Sequence, residues 1–415
     1  MWAYEGQQFL DGSESDPRRL GLMEPSHAAS RIGFKDGTAL SFPTSRWTLS
    51  NAARIFPTVS IDNRPSARHE WALSSNWAEQ ISALTFRDLN QQTVSWSQFL
   101  VDTYTDGLAI SHQGKLVYEY YFGALSQGQL HLGFSLTKSI VMSLMLCLLE
   151  ELKIRPDQRV TDFIPALKHS AYANATLDDV MDMRMAVNFD ESVDNPYSHA
   201  CQYAHVSNML PYPRDATHST LREFLQSLQA DGDHGGAFRY LSTHTEVIAW
   251  LIETLSSTAV VSLLSECLWQ PMGASQAANI IVDDTQVPIC GAGMSLCLRD
   301  LLLFGELIRQ DGAMGNRQIL PARQIQALYQ GGDTEAFKLA NYPLLPGYRY
   351  HRQWWLTGSD QQALEGRGIF GQRLFIAPKD EFVIARFSSH PIATSAANDP
   401  LTIPAIRAVR QLLTA

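Results

Sequence analysis

Ser135 and Lys138, in the stretch GFSLTKSIVMSLMLCLLE, are the side chains of this 415-residue chain best suited by type and spacing to covalent chemistry. Three residues apart on a helix, they share a face and meet. A serine hydroxyl is a poor nucleophile until a base takes its proton. A lysine is such a base only while it is partly neutral, and burial disfavours its charged form. Ile140, Val141, Leu144, Met145, Leu148 and Leu149 recur every three or four positions, which predicts a buried helix that supplies that burial. The N-terminal end of such a helix turns unpaired amides and a positive dipole end toward an anion forming near Ser135, so the Ser135 amide is half an oxyanion hole. The plainer alternative is a serine that only caps the helix and a lysine that snorkels to the surface. A lone S-x-x-K arises by chance about once in a chain of this length.

Two further stretches follow in order. In FRYLSTHTEVIAWLIE, Tyr240 and Ser242 precede a helix with an apolar face of Val247, Ile248, Leu251 and Ile252. A tyrosine beside a lysine loses its proton more readily and serves as base or proton relay, whereas most tyrosines are simply half-buried core residues. In GRGIFGQRLFIAP, Gly366, Gly368 and Gly371 surround Ile369 and Phe370 and predict a strand edge that a ligand approaches closely. A backbone amide there would be the second oxyanion donor; the plainer reading is a glycine-softened strand or bulge. Trp354 and Trp355 would wall an acyl pocket, but neighbours on a strand face opposite ways, so at most one faces the site.

The elements that must carry these residues are legible in outline. Leu108–Ser111 and Leu116–Phe122 flank HQGK and predict a hairpin. The Ser135 helix follows. LDDVMDMRM, STLREFLQSLQA, TEVIAWLIETLS and VVSLLSECLWQPMG read as helices, with Ser219 or Thr220 an N-cap and Pro271 and Gly273 a stop. RQWWLTG, RGIFGQRLFIAP and EFVIARFSS are three β-rich runs, APKDE is a tight turn, and IPAIRAVRQLL closes the chain as a helix. The order predicts an α/β (α+β) protein: an antiparallel sheet built from both ends of the chain, flanked by helices, with an all-helical lobe inserted and the site in the groove between. We divide it as 1–105, an irregular segment wrapped on the α/β domain; 106–155 and 286–415, the α/β domain; and 156–285, the mainly helical domain. NAARIFPTVSIDNRPSARHEW, rich in Pro, Asn and Ser, typifies the first part.

Composition narrows the function. The formal charge is −10 and no block of Lys or Arg offsets it, so neither nucleic acid nor an anionic membrane is an expected partner. No apolar run reaches the length of a membrane span, and the first residues do not read as a signal peptide. The scattered Cys147, Cys201, Cys267, Cys290 and Cys297 read as free thiols of a cytoplasmic protein. His199, His205, His218, His234 and His244 lack metal-ligand spacing, and Asp231–Gly236 lacks the length of a calcium loop, so no metal and no cofactor is expected. His244, four residues after Tyr240, would line the cleft in one reading; the plainer reading is an exposed or loop histidine.

SLTK (Ser135–Lys138), YLS (Tyr240–Ser242) and GIFGQ (Gly368–Gln372), in this order and spacing, resemble the serine hydrolases of the class C β-lactamase and penicillin-binding-protein superfamily. Within it, RQWWLTG, GQRLFIAPKDEFVIARFSS and GAGMSLCLRDLLLFGELI are most similar to the 6-aminohexanoate-dimer (nylon-oligomer) hydrolase and esterase branch. The resemblance runs from about Asp106 to the C-terminus. It implies a β-lactamase/transpeptidase-like fold and an acyl-enzyme mechanism, with Ser135 as nucleophile, Lys138 as its activating partner, and Tyr240 as general base and acid. It places the oxyanion between the amides of Ser135 and Ile369; the residues expected at the substrate are Ser242, Phe370, Gly371 and, from the wall of an acyl pocket, Trp355. Departures matter. Ile369 and Phe370 stand where β-lactamases carry cationic and hydroxyl groups for a substrate carboxylate, and Ser242 stands where they commonly carry Asn. The loop NFDESVDNPY corresponds to one that carries polar substrate contacts in nylon-oligomer hydrolases, without a matched tyrosine. The expected substrate is therefore a small carboxylic ester or amide, the ester favoured. The alternatives are a β-lactamase, a D-amino-acid peptidase, or a non-catalytic binding protein on the same fold. A homodimer is compatible with the reading.

Overall fold

The hairpin expected around HQGK is present, and its turn explains itself: Gln113 and Gly114 both have positive φ, the geometry that matches the twist of paired strands. It joins β1 (Thr105–His112) to β2 (Lys115–Tyr121). Five later strands complete one sheet: β3 (Arg349–His351), β4 (Trp354–Leu356), β5 (Leu364–Gly368), β6 (Gln372–Ala377) and β7 (Phe382–Ser388). Their order is β3-β4-β5-β6-β7-β1-β2 with every neighbour antiparallel, so the early hairpin docks on the last strand. Sheet and helices together make the expected antiparallel α/β arrangement, a seven-stranded sheet flanked by helices. The computed structural model describes residues 2–23, 32, 34, 37–64, 68–74, 76–192, 195–211, 218–358 and 362–415.

Alternation along each strand feeds two cores. Leu374 and Ile376 of β6 face one side with the main helices; Phe375 and Ala377 face the other with Phe99, Ile406 and Val409. The first core holds α1 (Leu136–Glu151), α2 (Ser242–Ser256) and α3 (Leu298–Arg309). The second is covered by Trp96–Asp102 and the terminal helix α4 (Asp399–Thr414). α4 begins before the expected IPAIRAVRQLL and runs through Pro404. The carbonyl that Pro404 leaves unpaired one turn earlier, on Pro400, accepts the Leu89 amide at 3.0 Å.

RGIFGQRLFIAP is not one strand. β5 ends at Gly368, Ile369–Gly371 make a tight turn, and β6 starts at Gln372. Phe370 (φ 61°) and Gly371 (φ 94°) reverse the chain, which the apolar run of residues conceals. The stretch VVSLLSECLWQPMG forms Val260–Leu263 and then a wider π-type turn at Leu264–Trp269. Between α1 and α3 the chain also forms helices Leu177–Met181, His199–Val206 and Leu221–Ser227, the last capped by Thr220 on the Glu223 amide. Among the described residues no single helix is long and apolar enough to cross a membrane.

A second, four-stranded antiparallel sheet fixes where α1 starts. Thr58–Ile61 pairs with Ala278–Ile281, that strand with Met294–Cys297, and that one with Leu130–Leu132. Leu132 leads directly into Gly133, whose amide donates to Met294 at 2.8 Å. Before residue 105 the chain holds on through Arg46, fully buried on Asp106 at 2.8 Å; Asp106 also binds Ser389 and His131.

Candidate active site

α1 begins at a strained corner. Phe134, just ahead of Ser135, has φ 45°, a region that a bulky side chain occupies at a cost of order 1–3 kcal/mol. Thr137 Oγ1 donates to the Phe134 carbonyl at 2.6 Å and accepts the Met294 amide at 3.1 Å, locking the corner to the second sheet. Ser135 stands at the N-cap but makes no capping hydrogen bond. The capping alternative therefore fails: the hydroxyl is engaged elsewhere.

It is engaged by Lys138. Nζ lies 2.8 Å from Ser135 Oγ, 2.9 Å from Ser242 Oγ and 2.5 Å from the Gly291 carbonyl. Lys138 is 1% exposed, so it does not snorkel. Its counter-charge is indirect, since all three neighbours are neutral. Burial pushes its pKa from 10.5 down to about 7, against the opposing pull of Glu246. Tyr240 completes the group. Its ring centroid is 5.0 Å from Nζ. Burial holds the phenol well above its usual pKa, with the Ser135 side chain opposing, so at neutral pH Tyr240 carries its proton.

The aromatic wall behind Tyr240 includes Trp355 at 5.3 Å and Tyr350 at 5.9 Å between ring centroids. Trp354 faces away and stacks on Phe304, as alternation along β4 requires. The Ile369–Gly371 turn meets the nucleophile corner: Phe370 packs on Phe134 at 5.3 Å, and a Cβ on Gly368 would lie 2.9 Å from the Gly133 carbonyl. Ile369 is 41% exposed at the rim. Gly371 points the other way. Its carbonyl accepts two bonds from Arg386, and a Cβ there would meet Ser388, so of the residues expected at the substrate it turns inward.

Other expectations divide. His244 is not on a surface loop: it lies fully buried inside α2, bonded to Tyr172 at 3.1 Å, and burial pushes its pKa down to about 3. His199 and His234 each accept a backbone amide, of Asp190 and Ala186. In NFDESVDNPY, residues 193–194 lie outside the described residues, as do 65–67 of NAARIFPTVSIDNRPSARHEW.

Three members of the site escaped the sequence reading. Glu246, one helical turn past Ser242, is 3% exposed and accepts the amides of Cys290 (2.9 Å) and Gly291 (2.8 Å) and the hydroxyl of Tyr203 (2.5 Å). An acid amid Val247, Ile248 and Leu251 was the available signal. Gly291 and Tyr203 carried no local signal, because only the fold brings them to Lys138 and Glu246.

Fold and site together define a class: an antiparallel α/β scaffold that brings a serine, a lysine and a tyrosine together beside the start of one helix. The Beta-lactamase family profile matches residues 100–405, and the chain belongs to that family. It is 29% identical over 352 residues to the 6-aminohexanoate-dimer hydrolase of Paenarthrobacter ureafaciens, covering 84% of this chain and 86% of the relative. A Bacillus anthracis protein provisionally assigned as a 6-aminohexanoate-dimer hydrolase superposes with a TM-score of 0.84 at 25% identity, covering 92% of this chain and 97% of that one. EstCE1, a hydrolase with promiscuous acyltransferase activity, shares the fold at a TM-score of 0.58 and 15% identity, over 77% and 96% of the two chains. The resemblance read from the three motifs holds, and the chain is a hydrolase of the β-lactamase family.

Proposed function

We propose that this protein is a serine hydrolase that cleaves a small carboxylic ester or linear amide through an acyl-enzyme on Ser135. The observation that carries the reading is Lys138: a fully buried amine 2.8 Å from the serine hydroxyl, set among neutral hydrogen-bond partners, its pKa pushed down to about 7 by burial. In its neutral form Lys138 takes the Ser135 proton as Oγ bonds the substrate carbonyl carbon. The resulting oxyanion faces the start of α1, between the amides of Ser135 and Ile369. As the intermediate collapses, the bond to the leaving group breaks and Tyr240, protonated by burial, gives that group a proton, which Lys138 restores. Water then repeats the sequence on the acyl-enzyme.

Ester substrates are favoured, because an alkoxide or phenoxide departs with less help than an amine. The exposed Ile369 and the Phe370 ring offer a carboxylate no partner, which speaks against β-lactams and D-peptides. The relatives whose names include 6-aminohexanoate-dimer hydrolase support a linear amide as the second substrate class. The test is hydrolysis of a short-chain p-nitrophenyl ester by the wild type and by Ser135→Ala, with intact-mass detection of the adduct. Ser135→Ala is expected to lose about a thousand-fold or more and to acquire no acyl mass. A wild type that neither turns over nor is acylated by any activated ester or β-lactam would mark a binding protein on a hydrolase scaffold.

A further inference from the structure

Lys138 has three polar neighbours, but they are not equivalent. A neutral amine offers two N–H donors and one lone pair. The Ser135 and Ser242 hydroxyls can each give or take a hydrogen bond, whereas the Gly291 carbonyl only accepts. At 2.5 Å from Nζ, that carbonyl claims one N–H in either protonation state. Ser242 Oγ, at 2.9 Å, takes the second, and the lone pair is left on Ser135 Oγ at 2.8 Å. Gly291 thus sets the direction in which Lys138 is basic.

Gly291 is itself held by Glu246. The carboxylate grips the amides of Cys290 and Gly291 together, so the turn has one orientation relative to α2. Space there is filled: a Cβ on Gly291 would lie 2.7 Å from Glu246 Oε1 and from the Tyr203 hydroxyl, and 3.0 Å from Ser242 Cβ. The other titratable groups facing Lys138 and Glu246 are Tyr172, Tyr203, Tyr240, His244 and Cys290. Burial keeps the three phenols and the thiol protonated and the imidazole neutral. Glu246, pushed up to about 7 by burial, is the carboxylate whose charge acts on Lys138.

We propose that Glu246 is a positioning residue: by holding the Cys290–Gly291 turn it aims the Lys138 lone pair at Ser135, and by its charge it sets the pH at which that lone pair becomes free. The kinetic part rests on the serine-hydrolase reading; the titration of Lys138 does not.

Glu246→Gln keeps the shape but sets an NH2 group against one of the two backbone amides, donor facing donor. With a p-nitrophenyl ester its kcat is expected to fall about a hundred-fold, the scale of a misaimed catalytic group. KM should stay within about two-fold, since no substrate contact is lost. Removing the negative charge favours neutral Lys138, so the acid limb of the kcat profile should move to lower pH. A purely structural defect would lower kcat without moving that limb. The same shift should appear in the ε-carbon NMR signal of Lys138 in 13C-lysine-labelled protein, a readout that needs no turnover. Tyr203→Phe, which removes one donor from Glu246 and leaves the turn intact, should shift both readouts the same way by a smaller amount, and it stands in if Glu246→Gln does not fold. An unmoved limb and an unmoved Lys138 titration in the folded variants would overturn the proposal. A shifted titration in a protein that forms no acyl adduct would uphold it while the hydrolase reading fell.

Discussion

Two of the buried sets of charges behave in opposite ways. Behind the aromatic wall, Arg367 and Arg373 share Glu365 and Asp399. Arg373 meets them at 2.6 and 2.5 Å, Arg367 bonds both, and Tyr348 adds a hydroxyl to Glu365 at 2.8 Å. The two carboxylates hold Arg367 above its usual pKa, and the two guanidinium groups hold Asp399 below its own. At the start of α1, Lys138 is as deeply buried but touches neutral acceptors alone, and its pKa falls to about 7. Arg386 is a control within the same fold. Its acceptors, Gly371, Asn398 and Thr402, are also neutral, and burial, joined by the like charge of Arg373, pushes it down to about 9. Burial therefore does not by itself make a base. Withholding the direct counter-ion does, and a lysine responds within the working range of pH where a guanidinium stays charged.

The contrast can be broken at Lys138 first. Lys138→Met should lose about a thousand-fold or more in kcat/KM toward an activated ester, as when a member of a nucleophile–base unit is removed. Its urea midpoint should not fall, because a buried amine without a counter-ion contributes little beyond its packing and Met keeps that volume. If the variant is severely destabilised, Lys138 is a structural cation like the arginines, and the comparison collapses. Arg373→Met is the reciprocal test. It leaves Glu365 and Asp399 short of a partner and should cost about 3–5 kcal/mol by urea unfolding. A loss below about 1 kcal/mol would mean the four-membered network is not held by charge pairing.

The smallest effect sharpens the comparison. Neutral Lys138 is the active form, so kcat/KM should rise with pH by about ten-fold per unit on the acid side and level off near 7. Because Lys138 and Glu246 interact, that limb belongs to the pair. Stability follows with a defined sign. Between about 7 and 10.5 the unfolded chain binds a proton at Lys138 that the folded chain does not, so this group makes stability rise with pH across that window. The rise should be shallower in Lys138→Met, read as urea midpoints across the same range. An equal slope in both proteins would assign the titration elsewhere.

Legibility differed with the range of the interactions. Ser135 and Lys138 were readable because three residues on a helix are one turn, and the apolar period after them announces burial. The HQGK hairpin was readable because its turn chemistry is local. The IFG stretch was misread because β-rich residues run through it without a break, while the reversal depends on Phe370 adopting φ 61° against Ala393 and His390. His244 was misplaced because the partner of its Nδ1 within the core, Tyr172, lies 72 residues away.

By itself the sequence determined the order of elements, the two-ended sheet, and the helix that opens on a serine and a lysine, since these rest on periodicity and turn chemistry within a few residues. Only the tertiary structure decided what makes Lys138 a base and where it points. Gly291 lies 153 residues from Lys138, and Glu246 reaches that turn from another helix. A pKa depends on every dipole and charge within a few ångströms, and no spacing along the chain encodes which of them the fold withholds.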